Sequence, residues 1–380
     1  MSEYQYYEFQ TLDHPMTPEA LAEMRSLSSR VQLTPTSAKF TYNYGNFRGD
    51  PYNILAQHFD AMLYITNWGT RQLMFRFPQK TIPAEVMAAY QHPNGLTWSA
   101  EGGYIILNIE RDNENGDSDW LDDDGLLGGL TQARNDILSG DYRALYLAWL
   151  VAAESEPEEY DDDDDEGEED SEELREAPVP PGLKTLSSTL KNIMVFFEID
   201  PNLVKAAAQT SPAAEKLTQK LGESISLLSD AEKHDFLRRL LDGEPRLNIA
   251  LTHRLRELSG AGNAQLPSGE RRTFRQLVDV SEALWDQQQA AEKQKSEQAH
   301  LKKLESLAPQ EAQLWAKVAE LIAEKKVRAY DEAIPHLVNL RDLLTHQGRV
   351  AEFQAKLTAI KTQYPTLTGL HTRLRDNKLQ

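Results

Sequence analysis

The sequence predicts an α+β N-terminal domain followed by an all-α helical C-terminal domain with a long polar helix and a terminal helical hairpin. Three observations carry that prediction. Up to about residue 153, short aromatic and β-branched runs alternate with short apolar stripes at helical spacing. From Leu183 onward capped helices follow one another, and Phe274 to Leu307 contains neither glycine nor proline. Between the two halves, Glu154 to Glu176 is a run of carboxylates relieved by a single base, Arg175.

In the first block, Tyr4 to Leu12 is aromatic-rich and ends at His14-Pro15, which predicts a strand. Thr17-Pro18-Glu19 supplies an N-cap, a first-turn proline and an early acid for a short helix carrying Leu21, Met24 and Leu27. Val31–Leu33 and Lys39–Tyr44 read as extended. Asp50-Pro51 opens a second helix, expected to run to about Ile65, and Arg71–Phe77 alternates as a strand. Pro83–Tyr90 predicts a short helix, and Leu96–Ser99 with Tyr104–Ile109 flank a hairpin turn around Gly102-Gly103. Two Leu/Ala-rich helices, near 125–138 and 141–153, close this domain, 1–153.

Charge divides the chain more sharply than hydropathy does. Of 380 residues, 60 are acids and 40 are bases, giving −20, and residues 154–176 alone contribute −15 while 177–380 carry +4. Like charges repel along Asp161–Asp165 and little apolar surface is there to offset ordering entropy, so the segment is expected to be disordered. Pro178, Pro180 and Pro181 prevent a helix from continuing through it. Residues 154–182 therefore read as an acidic, Pro-rich linker, either a solvated spacer or a lure for a basic partner surface.

Residues 183–260 read as a helical bundle. Asp200-Pro201 and Ser211-Pro212 are helix starts, Ser229-Asp230-Ala231-Glu232 is a capping box, and Leu237, Leu240 and Leu241 begin an apolar stripe. Gly260–Gly269 is a loop. Residues 270–380 hold the long helix, about 34 residues and roughly 50 Å, whose middle, Asp286–His300, is polar on nearly every face. It predicts a strut through solvent, with a dimerising coil as the alternative. Pro309 starts a helix bearing Leu314, Trp315, Val318, Leu321 and Ile322; then come Tyr330–His346, a break at Gly348, and Val350–Tyr364. The last two helices form a hairpin with TPR-like (tetratricopeptide-like) spacing.

The segments SEYQYYEF, NWGTRQLMFRFP, the acidic tract followed by PVPPGL, and EIDPNLVKAAAQTSP resemble a family of uncharacterised bacterial proteins with this same layout. That resemblance implies a shared architecture and no activity. Leu314–Leu374, with AYDEAIPHLVNLRDLL and GRVAEFQAKLTAI, is similar to the helical C-terminal region of bacterial SWIM-type zinc-finger proteins. The similarity implies a helical partner-binding element. The finger itself cannot form, because the chain has no cysteine.

Catalytic signatures are missing from the sequence. There is no GK[ST] phosphate loop, GxGxxG, GxSxG or HExxH, and no two of the nine histidines stand at local metal-ligand spacing. The acids Asp112 to Asp124 suggest a calcium loop until the spacing is tested: Gly116 at the sixth position would place Arg111 first, and Gly125 would place Trp120 first. No cofactor or metal is expected. Aromatics beside arginine at Tyr42–Arg48 and Asn67–Arg71 fit either base stacking or a small core.

The expectation is a non-catalytic cytoplasmic adaptor of bacterial origin with another protein as its partner. MSEYQYYEFQ has no secretory pattern and no stretch approaches a membrane span. Partner contact is expected at Trp315, Tyr330, Arg341, Arg349 and Phe353. The alternative is a nucleic-acid-associated accessory subunit of a defence or repair complex. It would use Arg271, Arg272, Arg275, Lys302 and Lys303, and interleaved acids weaken it. A hydrolase or transferase assembled by the N-terminal fold is the third reading.

Overall fold

The computed structural model describes residues 3–113, 125–155, 174–213, 224–244, 247–259, 266 and 271–379. Contacts divide the chain into two units, Met1–Leu284 and Trp285–Gln380. The first contains a mixed sheet-and-helix body and the second is wholly helical, so an α+β region precedes an α region.

Seven antiparallel strands build the sheet: β1 (Gln5–Gln10), β2 (Gln32–Leu33), β3 (Ser37–Tyr42), β4 (Ala61–Thr66), β5 (Arg71–Pro78), β6 (Leu96–Glu101) and β7 (Tyr104–Arg111). Their order is β2-β3-β1-β4-β5-β7-β6. Alternation along each strand sends side chains to two cores. Tyr7, Phe9, Phe40, Met62 and Met74 meet α1 (Pro18–Leu27) and α2 (Pro51–His58) on one face. Leu63, Leu73, Phe75, Leu107 and Ile109 meet α3 (Ala84–Tyr90), α4 (Gln132–Leu138) and α5 (Arg143–Glu154) on the other. Helix α5 is apolar all round, and Ala144 to Ala153 are all buried, as such a sequence requires. The hairpin between β6 and β7 turns on Gly102 and Gly103, both at positive φ, the two-residue turn whose twist matches its strands.

The second helix is shorter than its apolar run predicts. It stops at His58, and Ala61–Thr66 is β4, paired to β1 and β5 on its two sides. Every residue of Ala61–Leu63 is buried between the two cores, so tertiary pairing overrides a helix-compatible pattern.

The largest departure concerns the expected separation of 1–153 from 183–260. Residues 156–173 of the linker lie outside the described residues. Its last part is packed: Glu176, Ala177 and Pro178 are buried, and the Tyr90 hydroxyl donates to the Pro178 carbonyl at 2.8 Å. Glu176 accepts from Arg272 at 2.6 Å and from the Tyr146 hydroxyl. The backbone of 174–176 also bridges that of 272–274 (Phe274 N to Leu174 O, 2.7 Å). Helices α6 (Ser188–Phe196) and α7 (Pro201–Thr210) share the core of α5. Arg71 pairs with Glu198, and Arg111 donates to the Phe197 carbonyl at 2.6 Å. One core thus spans what composition divided in two, because buried apolar faces found partners across the acidic run.

Helices α8 (Asp230–Leu241) and α9 (Leu247–Ser259) follow. The expected bundle stripe is only half buried: Leu247, Ile249 and Leu255 are covered, whereas Leu237, Leu240 and Leu241 are exposed. Local chemistry holds α8 instead, through the Ser229–Glu232 capping box and the Arg254–Glu232 pair.

The long helix α10 (Phe274–Leu307) forms as predicted, and every residue from Trp285 to Lys303 is exposed. In the helical unit, α11 (Glu311–Ala323), α12 (Val327–His346) and α13 (Val350–Gln363) are joined by short turns. A further helix, α14 (Thr368–Asp376), follows Pro365 and packs on α12; the sequence reading stopped before it. Leu370 and Leu374 of α14 complete a core with Leu321, Ile322, Leu337, Leu340 and Leu357.

Candidate functional site

Helices α6 and α7 are set by their caps. The Ser187 hydroxyl accepts from Leu190 N, and the Asp200 carboxylate accepts from Asn202 N at 2.8 Å ahead of Pro201. The α6–α7 corner is pinned to the sheet by the Arg71 and Arg111 bonds described above. On α6, Leu190, Ile193 and Phe196 point inward, Lys191 is exposed and Met194 lies half-buried at the edge of the inward face. On α7, Pro201, Val204, Lys205, Ala208 and Gln209 share one stripe at three- and four-residue steps. These two stripes and the Leu183–Leu186 segment enclose a cleft of about 820 Å³.

Its floor is apolar, made of Leu183, Leu186, Met194, Val204 and Ala208, and its rim carries Lys184, Lys191 and Lys205, with no carboxylate among the described residues. Lys205 donates to Asn202 Oδ1 at 3.1 Å. Lys184 and Lys191 form no ion pair among the described residues. Three cations around an apolar floor stand out in a chain with 60 acids. They create a local positive field that draws an anionic group, while the floor rewards burial of aliphatic side chains.

The expected partner-binding residues are placed otherwise. Tyr330 (4% exposed) and Phe353 (3%) lie inside the helical core, and Trp315 packs against it, tilted at 41° to the Phe353 ring with centroids 5.9 Å apart. Tyr330 and Phe353 build the hairpin core, and Trp315, on α11, is half-buried beside it; an apolar stripe at helical spacing does not distinguish packing from partner contact. Arg341 donates to the Asn377 carbonyl and Asp342, and Arg349 to Glu311 and Glu352, so both tie elements of the unit together. Of the candidate nucleic-acid contacts, Arg272 is committed to Glu176, and Arg275 makes a one-turn pair with Asp279. Arg271 supplies a carbonyl to Arg175, and its side chain, with Lys302 and Lys303, is exposed. Within the first unit, Arg271, Arg272 and Arg275 do not line the cleft.

The acids at 114–124 lie outside the described residues, and no group of three or more His, Asp or Glu among the described residues is arranged to hold a metal. No described helix is long and apolar enough to cross a membrane. The cleft itself was missed in the sequence because α6 reads as an ordinary amphipathic helix. The available signal was Met194, an apolar residue at the edge of the inward face set by Leu190 and Ile193, with Lys191 three residues before it. No family model, curated protein or solved structure matches the chain.

Proposed function

We propose that the protein is a non-catalytic adaptor that holds an acidic amphipathic segment of another protein in the α6–α7 cleft. The single observation behind this reading is the pairing of an apolar floor with a rim of three lysines and, among the described residues, no acid. A helix or strand with aliphatic anchors on one side and Asp or Glu beside them satisfies both features at once. A nucleic-acid backbone would use the lysines and leave the floor unfilled. The pinned corner gives the cleft a preformed shape, which lowers the ordering cost of binding. The docking surface therefore belongs to residues 183–209 and not to the terminal hairpin.

Selection of a displayed library of short peptides against the full-length protein tests this. The expected consensus has acids flanking aliphatic anchors, and its affinity falls with salt. Charge reversal at Lys184 and Lys191 removes binding without altering the melting temperature. A neutral or basic consensus, insensitivity to these substitutions, or displacement of the peptides by single-stranded nucleic acid overturns the proposal.

A further inference from the structure

A second cleft, about 450 Å³, opens on the α1/α2 face of the sheet where β1 begins and β4 ends. The two aromatic segments singled out in the sequence converge on it: Phe47 arrives from Tyr42–Arg48 and Trp68 from Asn67–Arg71. Trp68 is 41% exposed and is carried on a tight turn. Gly69 makes that turn at φ +104°, where an added Cβ would stand 2.1 Å from the Asn113 carbonyl oxygen. Phe47 and Tyr64 both stack on Tyr7, with centroids 4.7 and 4.3 Å away.

Beside the Asn46 amide and the Trp68 indole, the lining carries two phenols whose protons are already used. The Tyr7 and Tyr64 hydroxyls donate to Gln5 Oε1 at 3.2 and 3.3 Å, and Gln5 Nε2 donates to the Gly45 carbonyl at 3.2 Å. Both phenol protons are thereby used, and the oxygens keep lone pairs only. Burial, first of all, keeps both phenols protonated by raising them above the ordinary tyrosine range; Asp112 and Glu110 add to this at Tyr64. Glu3 lines the cleft, and among the described residues no lysine or arginine does. The wall thus offers aromatic rings, acceptor oxygens and negative charge.

We propose that this cleft binds an organic ammonium ion bearing N–H donors and an aliphatic or aromatic body. The cation meets the carboxylate and phenol oxygens while its body lies against the rings, the combination that aromatic cation sites use. This site is separate from the α6–α7 cleft and does not rest on the adaptor reading.

Hexylammonium, hexanol and hexyltrimethylammonium share one chain and differ in charge and donors. Titrated into the full-length protein by ligand-observed NMR, hexylammonium should bind roughly fivefold or more tightly than either companion. Tyr64→Phe and Glu3→Gln should weaken hexylammonium and leave hexanol unchanged, and Trp68→Ala should weaken all three. Lys191→Glu, in the other cleft, should change nothing. Hexanol binding as well as hexylammonium overturns the assignment. So does parental affinity in well-folded Glu3→Gln and Trp68→Ala proteins, or tighter binding of adenosine monophosphate than of hexylammonium.

Discussion

The sheet-bearing unit and the helical unit treat charge in opposite ways. Before Leu284 the core encloses ions: Arg134 is 1% exposed and pairs with Asp60 at 3.2 Å and Asp13 at 3.3 Å, while Arg76 meets Asp60 at 3.0 Å. Arg71 with Glu198 and Arg272 with Glu176 are further cases. After Leu284 no charged side chain among the described residues is buried, and the ion pairs sit on the surface, as with Arg373–Asp331 and Arg349–Glu352. The buried pairs reach across as many as 121 positions in Arg134 with Asp13 and 127 in Arg71 with Glu198, whereas the surface pairs span 3 in Arg349 with Glu352 and 42 in Arg373 with Asp331. An antiparallel sheet that reorders its strands can gather distant partners around a desolvated ion. A serial helical array has only near neighbours to offer and keeps its ions in water.

The comparison breaks most visibly at Asp60. Burial would raise its carboxyl, but Arg134, the Leu12 amide and Arg76 together hold it below the usual carboxylate range. Asp60→Ala strips Arg76 of its carboxylate and leaves Arg134 with Asp13 alone, and should cost about 3 kcal/mol, measured by urea unfolding. The pH dependence has a definite sign. Because the folded value is depressed, the stabilisation is complete above the unfolded value of about 3.9 and is lost as pH falls through the lower folded one. Asp60→Asn should flatten that acid limb. An unchanged acid profile would mean that the network is not electrostatically held.

In the helical unit the matching break must be apolar. Leu337 is fully buried between Leu321, Leu340 and Leu370. Leu337→Ala should cost about 3 kcal/mol, from lost transfer energy and the cavity left behind, again by urea unfolding. A cost below that of an exposed leucine such as Leu241 would show that this core is loosely filled.

The same contrast explains what the sequence made legible. Helices in the second unit follow from local rules: Pro309, Gly348 and the stripe from Leu314 to Ile322 mark ends and faces within a few residues, and the structure has them. In the first unit β1, β5 and the Gly102-Gly103 hairpin were equally readable from alternation and turn chemistry. What local rules could not supply was pairing. Ala61–Thr66 becomes a strand only because β1 and β5 flank it, and α6 and α7 join the first core only because α5 has an uncovered apolar side. Both clefts are products of such pairing. Their lining residues come from separate segments, so neither could be found by spacing along one of them.

Pro335 sharpens the comparison from the stabilising side. It lies inside α12, is exposed, and removes the amide that would bond the Asp331 carbonyl. Pro335→Ala should stabilise the chain by about 1 kcal/mol in urea unfolding, since the restored hydrogen bond and relieved ring clash outweigh the extra freedom of the unfolded chain. Loss of stability would mean that the proline is required to shape α12 around its core.

The smallest effect is expected at the surface pair beside that proline. Arg373 Nε lies 2.6 Å from Asp331 Oδ1, as close as the buried Arg272–Glu176 pair, and each charge favours the other's ionised form: Asp331 is held below, and Arg373 above, its ordinary range. Geometry alone would rank the two pairs as equals. Asp331 is more than half exposed, however, so water solvates both ions when they separate, and little is lost. Arg373→Ala should leave the unfolding midpoint where it was at moderate salt, whereas Arg272→Ala should lower it clearly by stranding Glu176 without its cation. Equal shifts from the two substitutions would show that pair geometry, and not desolvation, separates the two units.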